Sequence, residues 1–493
     1  MWRVENSLAG NNELPKDIQR AVSTLKEYLH KQNPHLAPWF QPHKGLIAAR
    51  APGRLDVMGG IADYSGSLVL QLPLEESAVV LFQGLSIPEI KLVSRTEDNE
   101  SLLRFSAPIS DFIDKTTGRP NSLAKMRRYF SNISAEQQWA GYVAGVLSVL
   151  MNEYDVMIEN GFIIYIDSSV PVGKGISSSA AIEVASMSAL ALNMGLEIDP
   201  ERLAVLCQRV ENQVVGAPCG LMDQMTSSAG TKDQLLTMLC QPDKVGPPTP
   251  LPRELTVMGI DSGIRHAVSG NDYTSVRVAA FMGYRLILDL AGIAPADVLA
   301  KQINDNRWQG YLANLSVSEF NQDFYTDLPD VLSGSEFLKT YDATTDTVTE
   351  IDPAKNYAIR SCTAHPVHEH YRARVFSQLA RTLASTGWQT EPARLMGECM
   401  FQSHTGYSAC GLASDGTDDI VNRLRQAGIG NGIYGARITG GGSGGTVAVL
   451  THVDAEDTVS SIAADYASDT GIGGQVFCGS SEGAFSCELQ PLT

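Results

Sequence analysis

The chain is short of several things, and each shortage excludes a class of protein. None of its eight cysteines has a C-x-x-C partner, which excludes a zinc ribbon and a dithiol redox motif. The thiols read as buried or idle groups in a reducing compartment. Positive charge is scarce: 37 Lys and Arg stand against 55 Asp and Glu, for a net charge of −18. That balance argues against a nucleic-acid partner, because binding a phosphate backbone needs a surplus of basic side chains. A single nucleotide stays open, since backbone N–H groups and one metal ion can hold it. No run approaches the roughly 18 apolar residues of a membrane span, and the opening MWRVENSLAG has no basic segment leading into an apolar one. A cytoplasmic enzyme is the default expectation. Two common nucleotide signatures are missing as well. Gly173-Lys174-Gly175 is not the G-K-[S/T] of a P-loop, and no G-x-G-x-x-G turn is followed about 20 residues later by a ribose-binding acid.

What is present is an ordinary globular mix, 43% hydrophobic and 19% charged over 493 residues, enough for two or three domains. Residues 14–32 carry Ile18, Ala21, Val22, Leu25 and Leu29 at helical spacing. GLIAARAPGRLDVMG predicts a short strand running into a Pro-Gly turn. Further strands are expected at 67–74, 78–82 and 161–167, the last opening through glycines into a long Ala-rich helix. Residues 200–215 read as another helix, broken at Gly216. The five prolines of 241–254 mark the best interior boundary. Beyond it, LTVMGIDSG reads as a strand and YTSVRVAAFMGYRLILDLAG as a helix. Residues 305–350 lack a period and read as an irregular insertion. Helices are expected again near 366–385 and 390–403, then a Gly-rich turn and strand at 437–450. The class is mixed α and β.

The strongest local signal is Pro171–Ala181, PVGKGISSSAA. Its glycines allow close backbone approach, and three serines stand at a helix start, where free N–H groups and the positive dipole end favour an anion. Serine is also an ordinary helix cap, so the segment alone decides nothing. Two more segments add to it: Pro52–Tyr64, PGRLDVMGGIADY, and Gly440–Gly445, GGGSGG. Taken in order, the three resemble the motifs of the GHMP kinase superfamily, and within it the galactokinase family. WAGYVAGV at 139–146, ENQVVGAPCGLMDQ at 211–224 and DSGIRHAVSGNDYTSVR at 261–277 extend the match across roughly 45 to 450.

The resemblance implies an α+β GHMP kinase fold of two domains. Residues 1–250 would form a nucleotide-binding domain like domain 2 of ribosomal protein S5, and 251–493 a ferredoxin-like domain, with the active site between them. It also implies roles. Asp223 matches the catalytic aspartate set against the anomeric hydroxyl of a sugar, and Arg54 the arginine beside it, whose fixed charge would stabilise the transition state. Ser179 and Glu211 match the ligands of Mg²⁺, an ion suited by hard oxygen donors. Gly173, Gly175, Ser177 and Ser178 would line the ATP triphosphate with Ser179, and Gly441–Gly445 would close the pocket. Asp63, Gly220 and Tyr273 match sugar-binding positions.

At Gly60-Ile61-Ala62-Asp63 the chain departs from the Glu-His-Thr-Asp of galactokinases. Both polar partners of the sugar's C6 end are gone, and Ile61 is expected to present apolar bulk there. A buried hydroxyl left without a partner costs about 1–3 kcal/mol. L-arabinopyranose has the ring stereochemistry of galactose and no C6 group, so the altered loop suits it. GRLDVMGGIADYSGSLVLQLPL also resembles the kinase domain of plant-type L-arabinokinases, which carry a further N-terminal glycosyltransferase-like domain that this chain is expected to lack. The implied activity is transfer of the ATP γ-phosphoryl group to the anomeric hydroxyl of L-arabinose. The alternatives are the same reaction on D-galactose and a non-catalytic sugar sensor. His365, His368 and His370 look like a metal cluster, but no carboxylate spacing completes a site, and a partly exposed helix start is the plainer expectation. Lys174 could reach a phosphate or be solvated.

Overall fold

A computed structural model describes residues 2–4, 14–96, 101–264, 271–293, 305–346 and 348–491. Residues 265–270 of the DSGIRHAVSGNDYTSVR match therefore lie outside the described residues.

The first sheet is built on two long strands, Leu46–Met58 and Leu68–Gly84, paired antiparallel. Outward from Leu68–Gly84 come Phe162–Ser168, Glu89–Arg95 and Leu102–Pro108; only the pairing of 89–95 with 162–168 is parallel. On the other side the last strand, Phe485–Pro491, pairs with Leu46–Met58. The expected division at residue 250 is thus crossed, because the end of the chain returns to the first sheet. Helix Lys16–His30 covers one face through Ile18, Ala21, Val22 and Leu25. The Ala-rich helix Ser178–Asn193 buries Val184, Ala185, Ala189 and Leu190 in the core of the other.

The Pro-Gly turn expected at residues 52–53 is instead a bulge inside one continuous strand. The register slips between Pro52 and Arg54, since Pro has no N–H for the ladder. The Arg54 N–H leaves the sheet and donates to the Ile176 carbonyl at 3.1 Å. A Cβ on Gly53 would stand 2.7 Å from that carbonyl, so only glycine fits the approach. Likewise the strands expected at 67–74 and 78–82 are one. Glu75 and Glu76 interrupt the apolar run where the strand changes partner, from Gln234–Leu239 to Phe162–Ser168.

The second sheet runs Ile433–Ile438, Thr446–His452, Leu255–Asp261 and Val476–Phe477, all antiparallel. Its side chains alternate in the two-residue period of a strand. Met258, Ile260, Val447 and Val449 pack under helices Asp415–Ala427 and Glu456–Thr470. Leu255, Val257, Ala448 and Leu450 share a core with Leu55, Val57 and Leu72 of the first sheet. Helices Ile359–Thr386 and Thr390–Ala409 help seal that joint. The first of them begins seven residues before the expected start and carries Pro366 inside it. Of the segment expected to be irregular, 305–350, residues 312–340 hold short helical elements, whereas 341–346 and 348–350 carry no regular element. Short helical turns bury Trp308, Phe320, Phe324 and Phe337 against helix Asn271–Leu290 and its neighbours.

Candidate active site

The glycine turn 171–177 and the loop 440–445 meet backbone to backbone. Thr446 Oγ1 donates to the Lys174 carbonyl at 2.8 Å, and a Cβ on Gly445 would stand 2.8 Å from the same oxygen. Beside this seam lies a cavity of about 180 Å³. Arg54, Asp63, Gly173, Gly175, the three serines 177–179, Glu211, Gly220, Asp223 and Tyr273 all line it, with Gly441 from the second loop. Gly60 and Ile61 do not. Ile61 is 1% exposed and packs with Val276 and Tyr407, which corrects the expectation that it faces a sugar.

Arg54 and Asp223 form a fork-to-fork pair, Nε to Oδ1 at 2.9 Å and Nη2 to Oδ2 at 2.8 Å. The third guanidinium nitrogen, Nη1, donates to the Gly175 carbonyl at 2.7 Å, tying the pair to the glycine turn. Ser177 donates to Asp223 Oδ2 at 2.6 Å, so its hydroxyl is committed to the carboxylate. Ser177 also has a φ of +63°. That conformation costs a non-glycine residue about 1–3 kcal/mol and persists where the surroundings enforce it. A carboxylate has about four acceptor positions. Three on Asp223 are taken, and the side chain is 26% exposed at the cavity, which leaves one direction for a ligand hydroxyl.

Glu211 is set in a π-helical turn, Val210–Val215, that ends at Gly216 (φ +91°). This turn follows helix Pro200–Arg209, where a single helix was expected; such wide turns recur at functional sites. Ser179 donates to Glu211 Oε1 at 3.3 Å and Gln224 Nε2 to Oε2 at 2.7 Å. Gln224 also reaches Glu183 at 3.2 Å. Burial, with the nearby Asp223 charge, pushes the Glu211 carboxyl up to about 7. Glu183 is fully buried beside it, and its carboxyl is raised well above the usual range by burial and then by Glu211. Sequence reasoning missed Glu183 and Gln224. The signal was a lone carboxylate four residues after Ser179 in an otherwise uncharged helix.

Asp63 sits on the single turn Gly60–Ser65. Its Oδ1 accepts the Tyr64 N–H at 2.7 Å, while Oδ2 is buried with no partner. Burial raises this carboxyl to about 7, with Arg277 opposing the shift. Arg277 was also missed. It is buried and clamped by Asp346, Nε and Nη2 each at 2.8 Å, and its guanidinium lies 5.4 Å from the Tyr64 ring centre. Tyr273 stands edge-on to Tyr64 at 6.0 Å. Lys174 neither reaches into the cavity lining nor is solvated; it pairs with Asp261 at 2.7 Å. Of the three histidines, His370 Nδ1 accepts the Leu68 N–H at 3.0 Å and His365 is buried edge-on to Tyr407. All three lie within helix Ile359–Thr386, past its first turn.

Residues 141–231 match the family model described as GHMP kinases N terminal domain, and 389–468 the one described as GHMP kinases C terminal. The chain belongs to the GHMP kinases. Among curated relatives, an L-arabinokinase of Arabidopsis thaliana is 41% identical over 490 residues, covering 90% of this chain and 46% of that protein. The chain thus spans about half the length of that relative. A galactokinase of Chloroflexus aggregans is 27% identical over 86% of this GHMP kinase and 88% of its own length. In structure, Lactococcus lactis galactokinase, solved in complex with galactose, superposes with a TM-score of 0.68 over 94% of this chain and 99% of its own, at 18% identity. The fold is shared.

Proposed function

We propose that this GHMP kinase is an ATP-dependent sugar 1-kinase acting on L-arabinose, giving ADP and L-arabinose 1-phosphate. The observation that carries the chemistry is the Arg54–Asp223 pair, held at the joint of two glycine loops with one carboxylate direction left open. The anomeric hydroxyl would donate into that direction. Its oxygen then attacks the γ-phosphorus, the bond to the β-phosphate oxygen breaks, and the hydroxyl proton leaves through Asp223 or solvent. Such transfer depends on positioning and on charge stabilisation. Arg54 supplies fixed positive charge beside the transferring group. Gly173 and Gly175 allow the backbone to approach the phosphates, and Ser178 stands at the N-terminus of the helix that follows.

Mg²⁺ fits the residues present: Ser179 and Glu211 offer hard oxygens within hydrogen-bond distance of each other at the cavity. It would neutralise phosphate charge when bound. The unpartnered Asp63 Oδ2 is suited to a ring hydroxyl, with Gly220 leaving room for it.

For the sugar, the support is the likeness to L-arabinokinase. D-galactose is the second reading, supported by the galactokinase relative that aligns nearly end to end. ADP release from ATP and Mg²⁺ with L-arabinose, D-galactose, D-galacturonate or D-glucose separates them. L-arabinose is expected to be fastest; a preference for galactose overturns the sugar assignment. Sugar binding without ADP release from any of the four would favour the sensor.

A further inference from the structure

The turn that carries Asp63 is held from outside itself. At its start the N–H groups of Gly59, Gly60 and Ile61 donate to side chains outside the turn: Gly59 to Glu369 at 3.0 Å, Gly60 to Asp56 just upstream at 3.1 Å and Ile61 to the Tyr407 hydroxyl at 3.1 Å. The last of these partners has a second bond. The Tyr407 hydroxyl donates to the Gly440 carbonyl at 2.8 Å, on the C-terminal glycine loop. Gly440 in turn lies against Arg54: a Cβ there would stand 3.4 Å from Nη2. One fully buried hydroxyl therefore spans from the residue two before Asp63 to the loop that backs the Arg54–Asp223 pair.

The ring itself has little freedom. Arg437 lies over its face at 5.0 Å, and His365 meets it edge-on at 5.2 Å. The hydroxyl also explains the glycine at position 60. A Cβ there would fall 1.9 Å from it, at a residue whose φ is +40°.

We propose that Tyr407 is a positioning residue that couples the Asp63 turn to the glycine loop, so that sugar and nucleotide bind interdependently, with Gly60 kept bare by the same hydroxyl. A shift of either loop must break one of this hydroxyl's two hydrogen bonds or carry the other loop with it. The inference rests on the kinase reading above for the identity of the two ligands. Coupling of this kind is reciprocal and commonly about fivefold or more.

Tyr407→Phe in the full chain tests it, because the ring packing is kept and only the two hydrogen bonds are lost. L-arabinose is titrated by calorimetry with and without a non-hydrolysable ATP analogue and Mg²⁺. In the wild type the analogue is expected to tighten sugar binding about fivefold or more. In Tyr407→Phe that factor should fall close to one, while each ligand alone still binds. A variant that is merely less stable but keeps the wild-type factor overturns the proposal, as does a wild type with no coupling. If L-arabinose does not bind, the sugar assignment has failed, and the same titration is made with whichever sugar supports ADP release. A ligand-free measurement stands apart from the kinase reading altogether. Gly60→Ala should lower the urea midpoint less in the Tyr407→Phe background than in the wild type; equal losses would overturn the contact on which the inference is built.

Discussion

Gly220 faces Asp63 so closely that a Cβ on it would stand 2.0 Å from Oδ2, the one oxygen of that carboxylate without a partner. The open acceptor and the missing side chain are two halves of one subsite. Gly220→Ala must push Asp63 or the 217–221 loop aside, at the 1–3 kcal/mol typical of overpacking. The Michaelis constant for sugar is expected to rise about ten- to a hundredfold, with that for ATP nearly unchanged. Equal increases for both substrates would place Gly220 outside the sugar subsite.

Asp63 gives the site a pH dependence. Burial raises its carboxyl to about 7 against the opposing Arg277 charge. Below that pH it is protonated, and it loses the stronger, charge-assisted acceptor. Sugar affinity, measured by titration without nucleotide or metal, is expected to weaken as the pH falls below about 7. Asp63→Asn should bind more weakly and without that dependence. Stability runs the other way. The folded-state value lies above the usual 3.8, so the contribution is full below pH 3.8 and is lost as the pH rises to about 7. The urea midpoint should therefore fall less between pH 4 and 7 in Asp63→Asn than in the wild type.

The paired fork of Arg54 and Asp223 predicts that charge alone is insufficient. Arg54→Lys keeps the charge but cannot hold both carboxylate oxygens and the Gly175 carbonyl in one plane. Asp223→Asn keeps the shape but turns one acceptor into a donor facing Arg54. Both should lower kcat about a hundredfold or more, with ATP binding kept in Asp223→Asn. An Asp223→Asn enzyme with near-normal turnover would remove this carboxylate from the mechanism.

Much of the cavity lining was legible in the sequence because it is written in short local runs. Glycines that must approach a backbone, a serine run at a helix start and an acid in a loop each leave a mark within about ten residues. Ile61 shows where such reading stops. Its neighbour Tyr407 is 346 positions away, and nothing near Ile61 says that the space beside it is filled. Lys174 and Asp261, Glu183 and Gln224, and Arg277 and Asp346 escaped for the same reason: a pair closed by folding leaves no periodic trace. The fold reading failed at boundaries and within 305–350, where helical pieces of three to seven residues are too short to leave a period. Pro52-Gly53 reads locally as a turn, yet the pairing with Leu68–Gly84 continues past it and turns the irregularity into a bulge.

The Asp346–Arg277 clamp gives residues 305–346 a measurable part in the site. Arg277 is buried beside Asp63 and Tyr273, and the carboxylate that matches its charge is Asp346, both of whose oxygens are engaged at 2.8 Å. Asp346→Ala would leave a buried guanidinium uncompensated, which costs about 3–5 kcal/mol. Freed from that partner, the Arg277 charge would act more strongly on Asp63, whose carboxyl it already pulls downward. Two effects should appear together: a Tm lowered by several degrees, and an Asp63-dependent pH midpoint for sugar binding shifted below about 7. Asp346→Asn, which keeps one acceptor for the fork, should show a smaller version of both. A loss of stability with the pH midpoint unmoved would make Asp346 a packing residue and separate the 305–346 segment from the sugar site.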